Sequence, residues 1–283
     1  MSFFSPSQIH RAMSSTIVLA LLFSGLIALS ACSSIQTKSP PPEEVVVEPK
    51  VPTVLIFSKT TGYRHKSIDV GIGALSKLAR SKEFTVITTE DAGFFTDEKL
   101  KDVDVVILLN TTSRQKKHGD REWFAGEYGE AFQRFVRSGG GVLGIHGAAD
   151  SHYKWPWYGQ LIGGYFESHP KGVPTGILTV VDAEHPSTAS MPASFSHSDE
   201  WYRIKDFNPE VSLLLTLDPK SIGEKSVNPK PISWSQEFDG GRAFYTTLGH
   251  TKAVYSNPLF LDHMSGALDW LMEKEPPVPS EPE

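Results

Sequence analysis

Cysteine is nearly absent: Cys32 is the only one in 283 residues. A lone cysteine excludes an internal disulfide framework. Basic clusters are scarce as well. The formal net charge is −6, and Arg114-Gln115-Lys116-Lys117-His118 is the one basic run. Binding to nucleic acid depends on neutralising phosphates, so no nucleic-acid partner is expected, and the run reads as a solvated loop. No apolar stretch is long enough for a stable membrane span, which takes about 20 residues; Thr16 to Ala31 is uncharged but shorter. Gly139-Gly140-Gly141 precedes an apolar run and has no Gly-Lys-Ser/Thr after it, which excludes a phosphate-binding loop. Gly-x-Ser-x-Gly is missing, and with it the serine-hydrolase elbow. No repeat recurs at solenoid or propeller periods.

What is present begins with the N-terminus. Thr16 to Ala31 fits the apolar part of a signal peptide. It ends in Leu29-Ser30-Ala31-Cys32, the lipobox pattern of bacterial lipoproteins. Small residues suit a narrow peptidase pocket, and the thiol receives the lipid. Residues 1–31 are therefore expected to be a signal peptide and Cys32 the lipidation site, which also removes Cys32 as a nucleophile. Several acyl chains on one residue hold where a single chain binds only marginally. Ser33, rather than Asp, follows the cysteine. That favours the outer membrane of a bacterial cell envelope, with the protein facing the periplasm or the surface. Residues 32–52 are rich in Pro, Glu and Val and read as an extended tether. Residues 273–283 read as a disordered tail. The remaining 53–272 suffice for one sizeable core.

Within that stretch, Thr53 to Phe57 (TVLIF) is apolar and rich in β-branched residues, the pattern of a buried strand. Ile68, Ile72, Leu75 and Ala79 recur at helical spacing over 68–79. Phe84 to Thr88 and Val103 to Leu109 predict two more strands. Tyr128, Phe132, Phe135 and Val136 predict a helix over 124–136, ended by the glycine triplet. Val142 to Ile145 is a fourth strand. Strands alternating with helices imply right-handed βαβ units and a mainly parallel sheet covered on both faces. Ligands of such sheets sit beyond the carboxyl ends of the strands, so His65, Asn110 and His146 are expected on one rim. The second half reads as short strands at 177–181, 211–217, 232–234 and 243–248, an Asp239-Gly240-Gly241 hairpin, and a closing helix over 259–272.

Chemistry concentrates in a few places. Gly144-Ile145-His146-Gly147-Ala148 is a sharp turn after a strand, which presents His146. Histidine suits acid/base work or metal ligation; the alternative is a hydrogen-bonded turn residue. His250 follows the last apolar strand, His65 ends the first loop, and His169 follows the Gly163-Gly164 turn. Asp199 and Glu200 are adjacent carboxylates. Imidazoles with a carboxylate suit a divalent ion such as zinc, nickel, copper or iron. No His-x-x-x-His pair exists, so such a set (His65, His146 and His250) would be assembled by the fold. Aromatic faces stack on sugar rings: Tyr63, Trp155, Trp157 and Trp201 are the candidates, whereas Phe166 and Trp234 read as core. His185 and His263 look like ordinary positions, and His118, His152 and His197 like surface ones.

Five segments, in order, carry a resemblance: TVLIFSKTTGYRHKSI, GGGVLGIHGAAD, LIGGYFESHP, SDEWYRI and PISWSQEFDGGRAFYTTLGHT. They resemble the ThuA-like (trehalose utilisation) family over Thr53 to Met272. The resemblance implies an α/β fold, flavodoxin-like and similar to class I glutamine amidotransferases: a three-layer sandwich with a mainly parallel central sheet. In those enzymes the elbow carries a cysteine, and a later strand end carries a histidine and a carboxylate. Here His146 stands at the elbow, His250 keeps the later place, and Lys252 stands where the carboxylate belongs. Amidotransferase activity is therefore not expected. The resemblance implies instead the handling of disaccharides, including oxidised keto-sugars. The expected function is a glycoside or keto-sugar hydrolase or lyase. His146 and His250 would be acid/base groups or metal ligands, Asp199 or Glu200 the carboxylate, and His65 and His169 assisting groups. The alternative is a non-catalytic carbohydrate-binding lipoprotein.

Overall fold

The computed structural model describes residues 50–113 and 122–273. The expected signal peptide, Cys32, most of the tether, most of the tail and the basic run at 114–118 lie outside the described residues. Eleven strands form: β1 (Thr53–Phe57), β2 (Thr85–Thr89), β3 (Val105–Leu109), β4 (Gly141–Ile145), β5 (Tyr165–Ser168), β6 (Thr175–Val180), β7 (Ser194–Ser198), β8 (Arg203–Lys205), β9 (Ser212–Asp218), β10 (Lys230–Phe238) and β11 (Gly241–Thr246). The helices are α1 (Ile68–Ser81), α2 (Asp97–Leu100), α3 (Glu127–Arg137), α4 (Pro156–Ile162) and α5 (Pro258–Met272).

One nine-stranded sheet has the order β2-β1-β3-β4-β11-β10-β9-β6-β7, and β5 and β8 make a separate ribbon. From β2 through β11 the neighbours run parallel. From β11 onward each strand is antiparallel to the next. Helices explain the division. α1 and α5 pack on one face, through Leu75, Ala79, Phe260 and Met264. α2, α3 and α4 pack on the other, through Leu100, Phe132, Tyr158 and Leu161. Strands covered on both faces must be apolar throughout, and β1, β3 and β4 are buried at every residue. β6, at the far side, alternates exposed and buried residues.

The α/β architecture therefore stands as expected, with an antiparallel extension. Small departures have local causes. The helix predicted from Phe124 begins at Glu127, because Gly126 takes a positive φ of 57° and turns the chain. Phe124 is still buried, against Phe57, Phe95 and Phe132. β5, β7 and β8 are too polar to announce themselves as strands.

The register decides which ends meet. Thr246 of β11 lies beside Ile145 of β4, running the same way. The loop carrying His250 therefore emerges on the same rim as His146.

Candidate functional site

The site grows from the end of β4. The chain turns sharply there, and His146 takes a φ of +46°. Such a left-handed residue without glycine's freedom costs of order 1–3 kcal/mol and persists only where its surroundings determine it. They do. His146 Nδ1 lies 2.6 Å from the Thr247 carbonyl. Tyr245 donates its hydroxyl proton to the His146 carbonyl at 2.7 Å. Gly147 N donates to Asn110 Oδ1 at 3.2 Å. A carbonyl only accepts, so Nδ1 carries the proton and Nε2 turns a lone pair to the rim. His146 is wholly buried.

The second wall follows β11. Gly249 has a φ of +118°, and a Cβ there would come within 2.7 Å of Ile145 Cγ2 and 2.9 Å of the Tyr255 hydroxyl. Only glycine lets this loop lie against the elbow. Asp199, also wholly buried, accepts from Gly249 N at 2.7 Å, His250 N at 3.2 Å and Glu200 N at 2.9 Å. Burial pushes its carboxyl up, against the opposing pull of these donors and of His146. Asp199 is thus spent on the backbone. It positions His250 and Glu200 rather than meeting a substrate, which corrects its expected catalytic part.

Glu200 holds the middle. Its Oε2 lies 3.2 Å from His250 Nδ1 and 3.5 Å from His146 Nε2. Those two nitrogens are 3.3 Å apart. Oε1 lies 3.2 Å from His169 Nδ1. Burial pushes the Glu200 carboxyl up, but the imidazoles of His146 and His250 beside it outweigh that and hold it well below the usual range. The hydrogen bond with Glu200 raises His250. His65 stands edge-on to His146 and His250, with ring centres 4.8 and 5.2 Å away. Burial, helped by the two neighbouring histidines, lowers it to about 3. Its Nδ1 is buried without a hydrogen-bond partner. His65, His146, Glu200 and His250 each offer one donor atom, all within 4.8 Å of one another. Side by side stand a carboxylate shared among imidazoles and a histidine kept neutral, a set able to move protons or to ligate an ion.

The aromatic walls differ from expectation. Tyr63 is exposed and stands edge-on to His65 at 4.9 Å, open to a ligand. Trp201 is buried and donates Nε1 to the Pro174 carbonyl. Trp155 stacks on Trp157 at 5.1 Å. Trp157 donates Nε1 to Asp239, in the hairpin at the opposite end of β11. Trp201 is thus a core residue, not a sugar platform, while Trp155 and Trp157 are half-buried against the core. The residue missed is Tyr202, whose ring lies 4.0 Å from His146, with Phe166 against it at 4.3 Å. In an extended segment alternate residues share a face: Glu200 and Tyr202 point to the site, while Trp201 points into the core. That period of two was the available signal. Phe166, read as core, is only half-buried against this wall; Trp234 is core as read. His152 and His197, read as surface, are buried, His152 beside Glu122 at 2.9 Å and His197 4.0 Å from Asp199.

Residues 53–271 match the family model ThuA, described as trehalose utilisation. Among solved structures, a ThuA-like protein from Bacteroides uniformis is 26% identical, with a TM-score of 0.64 over 81% of this chain and 95% of its own. A ThuA-like protein from Parabacteroides merdae is 20% identical, with a TM-score of 0.62 over 81% and 94%. A cytoplasmic protein from Salmonella typhimurium shares the fold at 14% identity, with a TM-score of 0.52 over 78% and 99%. No curated protein matches the chain.

Proposed function

The chain belongs to the ThuA (trehalose utilisation) family, and from that premise we propose that it is an enzyme acting on a glycoside or keto-sugar through the histidine-rich rim. One observation carries the reading: Glu200, shared by His146, His250 and His169 at 3.2–3.5 Å. Four ionisable side chains from separate loops are brought together there, one of them in a strained conformation. Nothing in the packing of the sheet requires this. Stability alone would be better served by apolar residues at such positions.

In this reading His146, its tautomer set by Thr247, offers Nε2 as a proton acceptor or as a metal ligand. His250, raised by its hydrogen bond with Glu200, serves as the proton donor. Such proton transfers are worth roughly 10²–10⁴-fold in rate. Tyr63 offers an exposed face to a sugar ring, and Tyr202 backs the imidazole of His146. The lipobox at 29–32 supports a cell-envelope location with the anchor at Cys32. The test is turnover of disaccharides and their oxidised keto derivatives by the intact chain. His146→Ala should lower it by about 10²–10⁴-fold; full turnover by that variant would overturn the assignment. The second reading, a carbohydrate-binding lipoprotein without catalysis, is favoured by the exposed Tyr63. It expects saturable sugar binding with no product after long incubation.

A further inference from the structure

We propose that His65, His146, His250 and Glu200 form a binding site for one divalent transition-metal ion, with zinc as its first candidate. The inference deepens the reading of this rim as an active site, but it stands on the donor geometry and needs no sugar.

The spacing is the main argument. Four donors placed tetrahedrally about 2.0–2.1 Å from a zinc ion lie about 3.3–3.4 Å from one another. The three pairs formed by His146 Nε2, His250 Nδ1 and Glu200 Oε2 are separated by 3.3, 3.2 and 3.5 Å. These are edges of such a tetrahedron. The fourth donor comes from His65, the whole set lying within 4.8 Å.

Hydrogen bonding alone serves these atoms poorly. His250 Nδ1 has one proton at most and faces two acceptors, His146 Nε2 and Glu200 Oε2. His65 is buried, and its Nδ1 has no hydrogen-bond partner. Leaving a buried nitrogen unpaired costs its full desolvation penalty. An ion would engage one donor of each residue at once.

The surroundings of the donors resemble what metal ligands require. A ligating histidine is oriented by a partner on its other nitrogen, and Thr247 does this for His146 at 2.6 Å. A ligating carboxylate is itself hydrogen-bonded, and His169 meets Glu200 Oε1 at 3.2 Å. Asp199 fixes the backbone beneath both Glu200 and His250. The donor types also select the ion. Imidazole nitrogen with a single carboxylate suits zinc and its neighbours, and fits calcium or magnesium badly, since those prefer all-oxygen sets. His250 and Glu200 retain some exposure, so solvent or a substrate oxygen can reach the ion. Zinc accepts such a fifth ligand.

The experiment uses the full chain in detergent, prepared without chelator or histidine tag. Elemental analysis and calorimetric titration with Zn²⁺ should give one ion per chain. Titration with Co²⁺ should give the intense visible absorption of a tetrahedral cobalt centre. Glu200→Gln and His250→Gln keep the shape of the rim and should each weaken Zn²⁺ by at least about 100-fold, with the circular dichroism unchanged. A folded wild-type chain that binds neither ion below 100 μM, or one whose stoichiometric binding survives both variants, overturns the proposal. The two readings fail separately: sugar turnover by a chain that binds neither ion removes the metal and keeps the enzyme. One tightly held ion without any sugar turnover or binding does the reverse.

Discussion

The two ends of the parallel strands teach by contrast. At their amino ends lies a cleft of about 770 Å³, bordered by Lys50, Asp104, Gly139, Asp239 and Arg242. Its charges are paired in the ordinary way: Lys50 with Asp104 at 3.3 Å, Arg137 with Asp239 at 2.8 Å, and Arg242 with Glu273 at 3.3 Å. Exposed pairs of this kind are worth roughly 0–1 kcal/mol. At the carboxyl ends His65 and His146 are buried, His65 is lowered by its burial, and His146 is held in a strained turn. A cleft alone therefore does not mark the site. The marks are buried ionisable groups and a backbone conformation that folding alone does not need.

The sharpest way to break the contrast is a pair of substitutions, one at each end. His146→Ala should lower turnover by about 10²–10⁴-fold, while Lys101→Ala at the other cleft should leave it within about twofold. Equal losses in steady-state assays would erase the distinction. Next comes Asp199→Asn, which weakens the hold on Glu200 and His250. Turnover should fall about 10–100-fold with the fold retained by circular dichroism; wild-type kinetics would show that the rim is fixed by other means.

Glycine gives a subtler comparison. Gly249 and Gly139 both have positive φ, at +118° and +94°, but an added methyl finds close neighbours only at Gly249. Denaturant unfolding should show Gly249→Ala destabilised by roughly 1–3 kcal/mol and Gly139→Ala by about 1 kcal/mol. The reverse order would refute the close packing of the loop on the elbow.

The smallest effect is in the pH dependence of the ion-free chain. His65 is lowered to about 3 from 6.5, by burial first and then by His146 and His250. Between those values the unfolded chain binds the extra proton, so stability rises with pH. The contribution of neutral His65 is complete above about 6.5 and is lost as pH falls toward 3. Burial lowers His263, in the core, to about 4, so it acts in the same direction. His65→Asn should flatten the slope between pH 6 and 4; an unchanged slope would deny His65 its buried neutral state.

The parallel half of the fold was legible because two-sided burial writes itself as uninterrupted apolar runs, as in TVLIF and VVILL. The antiparallel half was harder. β7, with the sequence SFSHS, is a one-sided strand at the edge, and its alternation is too short to stand out. The same difference divides the site. The histidines sit just beyond readable strands, so their rim could be inferred. Glu200 was named only as one of two adjacent carboxylates, because the choice between Asp199 and Glu200 depends on which side of an extended segment faces the elbow. The tryptophans misled for a related reason. Large rings fill cores as readily as they line binding clefts, and sequence does not say which way they turn.

Asp199 has one more consequence. A single carboxylate grips the backbone of two loops fifty positions apart, so the imidazole of His250 and the carboxyl of Glu200 cannot drift independently. Losing the grip on one loosens the other, and substitutions in the two loops should show strong non-additivity when combined. The rim therefore assembles as one cooperative unit, and descendants of this chain would have to alter both loops together to change its chemistry.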